Sequence, residues 1–282
     1  MDTPPPSPAE LLRRYGLRPH KGLGQNFLID EAALQRVVEA AELQPQDAAL
    51  EVGPGLGSLT RLLAKRIRRV VAVELDAGLI PILQEVLSDF PNVQIVHGDI
   101  LALDPDEVMR EAGATPDYCV VANIPYYITS ALIRHLLETR HPPKRLTLTV
   151  QSEVAQRICA TPGEMSLLAL SVQVYGRPQV AAHIPAGAFY PPPKVDSAVI
   201  RVDLYEQPRL PATQLGDFFR LAKAGFAQKR KTLRNALASG MGWKPARAEA
   251  LLRQAGIDPQ RRAETLSLDE WGALTAALQE VT

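Results

Sequence analysis

What the 282-residue chain lacks narrows its chemistry first. It has two cysteines, Cys119 and Cys159, in separate apolar segments and with no second ligating residue nearby. That excludes a disulfide framework and argues against a zinc site, so no metal is expected. No apolar run reaches the roughly 18 residues that a membrane helix needs, and no basic-then-apolar leader opens the chain. The expectation is a cytoplasmic protein without membrane contact. Net charge is missing too, because 31 basic residues balance 31 acidic ones, and a zero balance ordinarily speaks against a polyanionic partner. With 46% hydrophobic and 22% charged residues, general disorder is excluded.

The charge that cancels overall is present locally. Residues 219–262 carry eleven basic side chains, among them Lys229, Arg230, Lys231 and Arg234, against Glu249 and Asp258, a local charge of +9. Residues 11–26 add Arg13, Arg14, Arg18 and Lys21 with no acid. Such segregation matters more to a nucleic-acid partner than the net value does. On a helix, Arg230 and Arg234 would share one face.

The hydrophobic pattern divides the chain. Residues 1–14, headed by Met-Asp-Thr-Pro-Pro-Pro-Ser-Pro, read as a flexible proline-rich leader. Asp30 is placed to cap a helix over 31–43. Short apolar runs at 48–52, 69–73, 93–96, 118–122 and 145–150 then alternate with helical stretches, which predicts a mostly parallel sheet covered by helices. The stretches 167–175, 180–184 and 197–204 read as closing strands, at least one antiparallel. Beyond Pro208 and Pro211 the pattern is helical: 213–225, 229–238, 245–255 and a last helix opened by the capping box Ser267-Leu-Asp-Glu270. The expected domains are therefore an α/β domain over 15–206 and an all-α domain over 207–282.

Within the α/β part, Glu51-Val-Gly53-Pro-Gly55-Leu-Gly57-Ser58 runs from a buried strand through a glycine-dense turn into a helix. Glycines there let a ligand approach the backbone closely. The dinucleotide fingerprint would place its third glycine at 58, where Ser58 stands, so a pyrophosphate reader is disfavoured. Glu74 ends the next strand, 21 positions after Gly53, where a carboxylate can accept from both ribose hydroxyls. Asp99 ends the third strand and can accept from an exocyclic amine such as adenine's. Together these describe an adenosine held across the carboxyl ends of a parallel sheet. Without the phosphate signature, the cofactor they point to is S-adenosylmethionine.

After the fourth strand comes Asn123-Ile-Pro125-Tyr126-Tyr127. The amino nitrogen of adenine is a poor nucleophile because its lone pair is delocalised into the ring. Acceptors aimed at its protons, the Asn123 side-chain oxygen and the backbone carbonyl beside Pro125, can draw it toward tetrahedral geometry. Tyr126 supplies a face on which a base can stack.

At this point the sequence resembles the ribosomal RNA adenine dimethyltransferases, from Tyr15 to the C-terminus. The motifs that carry the resemblance are Gly24-Gln-Asn26-Phe27-Leu28, Glu51 to Gly57, Glu74-Leu-Asp76, Gly98-Asp99, Asn123 to Tyr126, Phe189-Tyr-Pro-Pro-Pro-Lys-Val-Asp-Ser197 and Arg230-Lys-Thr-Leu-Arg-Asn235. The resemblance implies a Rossmann-like class I methyltransferase domain followed by a helical RNA-binding domain. It implies that Asn26 and Leu28 help bind the methionine part of S-adenosylmethionine, that Gly53 approaches it, that Glu74 takes the ribose and that Asp99 reads the adenine. Asn123 would serve both cofactor pocket and target amine, and Phe189 would close the base's other face opposite Tyr126. The implied reaction is N6,N6-dimethylation of two adjacent adenines near the 3′ end of 16S rRNA, on the small subunit or its precursor, by a monomer with a role in assembly. Ile124 stands where these enzymes often have Leu, and Asn-Ile-Pro-Tyr also occurs in macrolide-resistance relatives acting on 23S rRNA; the difference is one of packing and does not decide between them. Two other readings stay in view. A non-catalytic RNA-binding assembly or transcription factor would not need an intact Asn123 turn. A nicotinamide oxidoreductase would need the glycine missing at 58 and a hydride-handling His or Tyr-x-x-x-Lys. The Lys and Arg clusters at 219–262 and 11–26 are expected to flank the pocket mouth and to grip phosphates.

Overall fold

A computed structural model describes residues 8–114 and 117–280. The chain divides into two compact units, one holding Gln179–Leu204 together with the described residues up to Ala155, the other Gln156–Pro178 and the described residues from Tyr205 onward.

The first unit opens with α1 (Pro8–Arg14), β1 (Phe27–Leu28) and α2 (Glu31–Ala41). Asp30 caps α2 as its position predicts, its side chain accepting from Ala33 N at 2.7 Å. There follow β2 (Ala48–Val52), α3 (Ser58–Ala64), β3 (Arg69–Glu74), α4 (Ile80–Val86), β4 (Val93–His97), α5 (Pro105–Glu111), β5 (Tyr118–Asn123), α6 (Thr129–Leu137) and β6 (Arg145–Gln151). Next in the chain come α7 (Ser152–Ile158), which runs from the first unit into the second, α8 (Leu167–Gln173), which belongs to the second, β7 (Gly176–Ile184), which returns to the first at Gln179, then β8 (Phe189–Tyr190) and β9 (Ser197–Leu204). Seven strands form one sheet in the order β4-β3-β2-β5-β6-β9-β7, with β2 to β6 mutually parallel and β9 antiparallel to β6. All five residues of β2 are buried, as a strand covered on both faces requires. The order reverses at β2 and β5, which opens a crevice beyond their carboxyl ends.

Two expectations are corrected here. Residues 8–14 of the expected leader form α1, with Leu11 and Leu12 buried against Phe27, Leu56, Leu79 and Ile82; the earlier residues lie outside the described part. Residues 167–173 are helix, not strand. Ser166 accepts from Ala169 N at 3.1 Å and starts α8, and its buried residues Ala169, Leu170 and Val172 face the apolar core at a spacing that also mimics alternation.

The second unit contains α9 (Ala212–Phe226), α10 (Leu233–Met241), α11 (Pro245–Gln254) and α12 (Leu268–Glu280). Its core gathers Phe218, Leu221, Leu237, Leu252 and Trp271, with Phe226 stacked on Trp271 at 5.7 Å. A Cβ on Gly240 would lie 2.6 Å from that of Ala224, so glycine there permits the close approach of α10 to α9. The capping box forms in both directions: Glu270 N donates to Ser267 Oγ at 3.1 Å, and Ser267 N donates to Glu270 Oε2 at 2.8 Å. The second unit takes in residues 156–178 as well as the described residues from Tyr205, where the sequence pattern places 15–206 in one domain and 207–282 in the other. Met165, Leu170 and Val174 join its core, and Gly163 N and Met165 N both donate to Glu264 O, at 2.8 and 3.1 Å. Contact in space overrides adjacency in sequence.

Candidate active site

The cleft of the first unit is lined by Leu23–Phe27, the turn after β2, the ends of β3 and β4, Asn123–Ile128 and Phe189. Its floor follows from strand register. Val52 pairs with Val73 on one side and Ala122 on the other, so Gly53 emerges between Glu74 and Asn123. Gly53, Gly55 and Gly57 all have positive φ, at 68°, 58° and 79°. A Cβ on Gly55 would stand 2.8 Å from the Phe27 ring, so no side chain fits where the turn passes beneath the 20–27 segment.

Glu74 is 5% exposed, and burial pushes its carboxyl above the usual range. Both oxygens are held by backbone N–H groups: Gly55 N donates to Oε2 at 3.1 Å and Asp76 N to Oε1 at 2.9 Å. A carboxylate offers about four lone-pair positions, so two remain for a pair of vicinal hydroxyls. Asp99 is exposed, and its Oδ1 accepts from Leu101 N at 2.9 Å, bracing the turn after β4. Its other oxygen is free to accept an amine. Leu75, Ile100 and Leu101 supply apolar surface between the two acids, fitting a flat heteroaromatic ring. The donor and acceptor set thus matches an adenosine, with a glycine floor close enough for backbone contact.

At the end of β5, the amide nitrogen of Asn123 donates to the carbonyl of Asn26 at 3.0 Å. That contact leaves Oδ1 as the acceptor presented to the cleft. Asn26 is itself held, its side-chain nitrogen donating to Gly24 O at 3.0 Å. Pro125 O accepts from Ile128 N at 3.2 Å, which closes the turn carrying Tyr126 and uses one of that carbonyl's two lone pairs. Tyr126 is half-buried and Phe189 is 3% exposed; both line the cleft. Phe189 is set by pairing of β8 with β1, where it lies opposite Leu28.

Of the expected site residues, Asn26, Gly53, Glu74, Asp99, Asn123, Pro125, Tyr126 and Phe189 converge on this cleft. Leu28 does not line it. Strand alternation turns Phe27 toward the cleft and Leu28 into an apolar cluster with Leu34, Val37 and Leu59. Sequence reasoning missed Gln25, whose side chain donates to Asp76 Oδ2 at 2.7 Å and accepts from His20 N at 2.7 Å, tying the 20–26 segment to the loop behind Glu74. It also missed Glu51 as a titrating group. Glu51 is 1% exposed, and burial, then the neighbouring charge of Glu74, pushes it up to about 8. Both signals needed the third dimension.

Lys229, Arg230, Lys231 and Arg234 lie in the second unit. Residues 229–232 form the turn before α10, so Arg230 is not on a helix with Arg234, contrary to expectation. Lys229, Arg230 and Lys231 are exposed, whereas Arg234 is half-buried and 3.4 Å from Glu249. In the 11–26 segment Arg14 pairs with Glu85 at 2.6 Å. Among the described residues no cluster of His, Cys, Asp and Glu could hold a metal, and no helix is long and apolar enough to cross a membrane.

Comparison with known proteins adds an independent line. The family model for ribosomal RNA adenine dimethylase matches residues 16–280. A ribosomal RNA small subunit methyltransferase A from Dehalococcoides mccartyi is 48% identical over 271 residues, 96% of this chain and 92% of the relative; one from Geobacillus is 42% identical over 279 residues, 96% of each. Among solved structures, the 23S rRNA methyltransferase ErmE superposes with a TM-score of 0.72 at 30% identity, covering 90% of this chain and 100% of that one. A dimethyladenosine transferase from Plasmodium falciparum shares the fold, with a TM-score of 0.76 at 22% identity over 90% and 98% of the two chains.

Proposed function

Because the chain belongs to the ribosomal RNA adenine dimethylase family, we propose that it dimethylates N6 of two adjacent adenines near the 3′ end of 16S rRNA, acting as a monomer on the small subunit or its precursor. It is an S-adenosylmethionine-dependent rRNA adenine dimethyltransferase with a Rossmann-like catalytic fold. The small-subunit target rests on relatives at 40–48% identity that carry that name.

The observation that carries the reading is the Asn123–Asn26 hydrogen bond. By committing the amide nitrogen, it fixes Oδ1 as an acceptor beside two aromatic walls. In this reading Glu74 holds the ribose, Asp99 the adenine amine, and the Gly53 turn and Asn26 the methionine part. Bound there, the cofactor supplies a methyl group on a positively charged sulfur. The flipped adenine sits between Tyr126 and Phe189, which replace its lost stacking neighbours. Asn123 Oδ1 accepts one proton of its amine. The second acceptor is the backbone carbonyl beside Pro125, that of Ile124 in the Ile124–Pro125 peptide or that of Pro125, which keeps one lone pair beyond its bond from Ile128 N. The carboxyls lining the cleft, Glu74 and Asp99, serve the cofactor, so no strong base faces the amine, and none is needed once methylation has made its proton acidic. Lys229, Arg230 and Lys231 grip RNA phosphates.

The test incubates the protein with labelled cofactor and unmethylated small subunits, then digests the RNA. Dimethyladenosine from the 3′ region of 16S rRNA is expected, and Asn123→Ala should lower kcat about 100-fold or more. Label in 23S rRNA or DNA, or an Asn123→Ala variant with unchanged kcat, would overturn the reading.

A further inference from the structure

The two aromatic walls come from distant stretches, one just after β5 and one just after β7. Base insertion requires their spacing to be held. Tyr126 lies in a short turn outside the sheet, and stacking alone makes no use of its hydroxyl. Yet that hydroxyl lies 2.8 Å from the hydroxyl of Ser197, which is fully buried at the head of β9. Ser197 is in turn fixed by antiparallel pairing opposite Gln151 of β6. One residue earlier, Asp196 O accepts from Ser152 N at 3.0 Å, and its side-chain Oδ1 accepts from Ala186 N at 2.9 Å. Ala186 opens the turn that ends at Phe189, and Ala188 O accepts from both Ile29 N and Asp30 N. The Asp196–Ser197 pair therefore reaches one wall through a side-chain hydroxyl and the start of the turn leading to the other through a carboxylate, from a single anchored strand end.

We propose that Ser197 is a positioning residue for base insertion, acting through Tyr126, with Asp196 bracing the Phe189 side of the same gap. The inference rests on the adenine-methylating reading and deepens it. A Tyr126 ring freed of its hydroxyl anchor would still bind a base, but less often in the orientation that aligns the amine with Asn123 Oδ1, so the loss should fall on kcat. A serine that merely satisfied a buried polar group would act through stability instead.

The experiment measures methyl transfer to unmethylated small subunits, cofactor affinity by calorimetry and thermal unfolding. It compares the wild type with Ser197→Ala, Ser197→Thr, Tyr126→Phe and the Ser197→Ala/Tyr126→Phe double variant. Ser197→Ala should lower kcat about tenfold, the order of one positioning hydrogen bond, with cofactor Kd within about twofold. Ser197→Thr, which keeps a hydroxyl, should recover most of that rate. The double variant should be no slower than Tyr126→Phe, because both changes remove one shared interaction. Unchanged kcat in Ser197→Ala, losses that multiply in the double variant, or a loss that tracks only Tm or cofactor Kd would overturn the inference. Should Ser197→Ala fail to fold, Tyr126→Phe removes the same bond from the more exposed side, and full kcat there overturns it. A wild type that methylates no ribosomal RNA removes the underlying reading; an active wild type beside an unaffected Ser197→Ala removes this inference alone.

Discussion

Glu51 sits beneath the glycine turn with one carboxyl oxygen, Oε2, lacking any described protein partner, and burial then Glu74's charge push it up to about 8 from an ordinary value of 4.5. The folded protein therefore binds a proton at pH values where the unfolded chain has released it. Stability from this source is fully present below about pH 4.5 and is lost as pH rises toward 8. Glu51→Gln, close in shape but without the titration, should gain stability relative to the wild type as pH rises across that window. Parallel Tm curves for the two proteins between pH 5 and 8 would refute it. Residue identities at the site were largely legible beforehand, because Glu74, Asp99 and Asn123 each end a predicted strand. Their chemical states were not: the direction of the Asn123 amide is set by the carbonyl of Asn26, 97 positions away in sequence.

The turn between β2 and α3 was legible as an element, since three glycines in five residues after an apolar run have few other uses. What that turn tolerates depends on Phe27. Gly55→Ala would place a side chain at φ 58° and 2.8 Å from the Phe27 ring. The left-handed conformation alone costs about 1–2 kcal/mol. The variant should unfold at lower urea concentration and bind S-adenosylmethionine more weakly than the wild type; unchanged midpoint and affinity would contradict the close-packed floor. Element type failed at 167–173 for a related reason. A run of leucine and valine with alternating small residues fits either period, and the deciding factor was the Ser166 cap together with a core supplied by Phe218 and Trp271 far along the chain. Likewise, Arg230 lies in a turn, because α10 begins only after Thr232.

For the molecule as a whole, neutral net charge hides a second unit whose exposed Lys229, Arg230 and Lys231 have no acidic partner among the described residues, while Arg220, Arg234, Arg253 and Arg261 do. Paired guanidiniums have less to offer a phosphate. Replacing Lys229, Arg230 and Lys231 together by Gln should weaken binding to small-subunit RNA and lower the slope of log K against log salt by about two to three. Cofactor affinity, which the proposed site assigns to the other unit, should not move. An unchanged slope would place the RNA contacts elsewhere, and Arg234→Gln alone should cost less than any one of the three.

The amino-acid order by itself determined the alternation of strands and helices, the glycine turn, the acids at strand ends and the Asn123-Ile-Pro-Tyr turn, because each is a local pattern enforced by backbone sterics and hydrophobic periodicity. It could not determine which segments share a core, so residues 156–178 and α1 were assigned wrongly from their neighbours in sequence. Only the tertiary structure decided that Leu28 faces inward, that Gln25 latches onto Asp76 and that Ser197 meets Tyr126. Those contacts join residues separated by 51 and 71 positions, and no local pattern encodes a hydrogen bond across that distance.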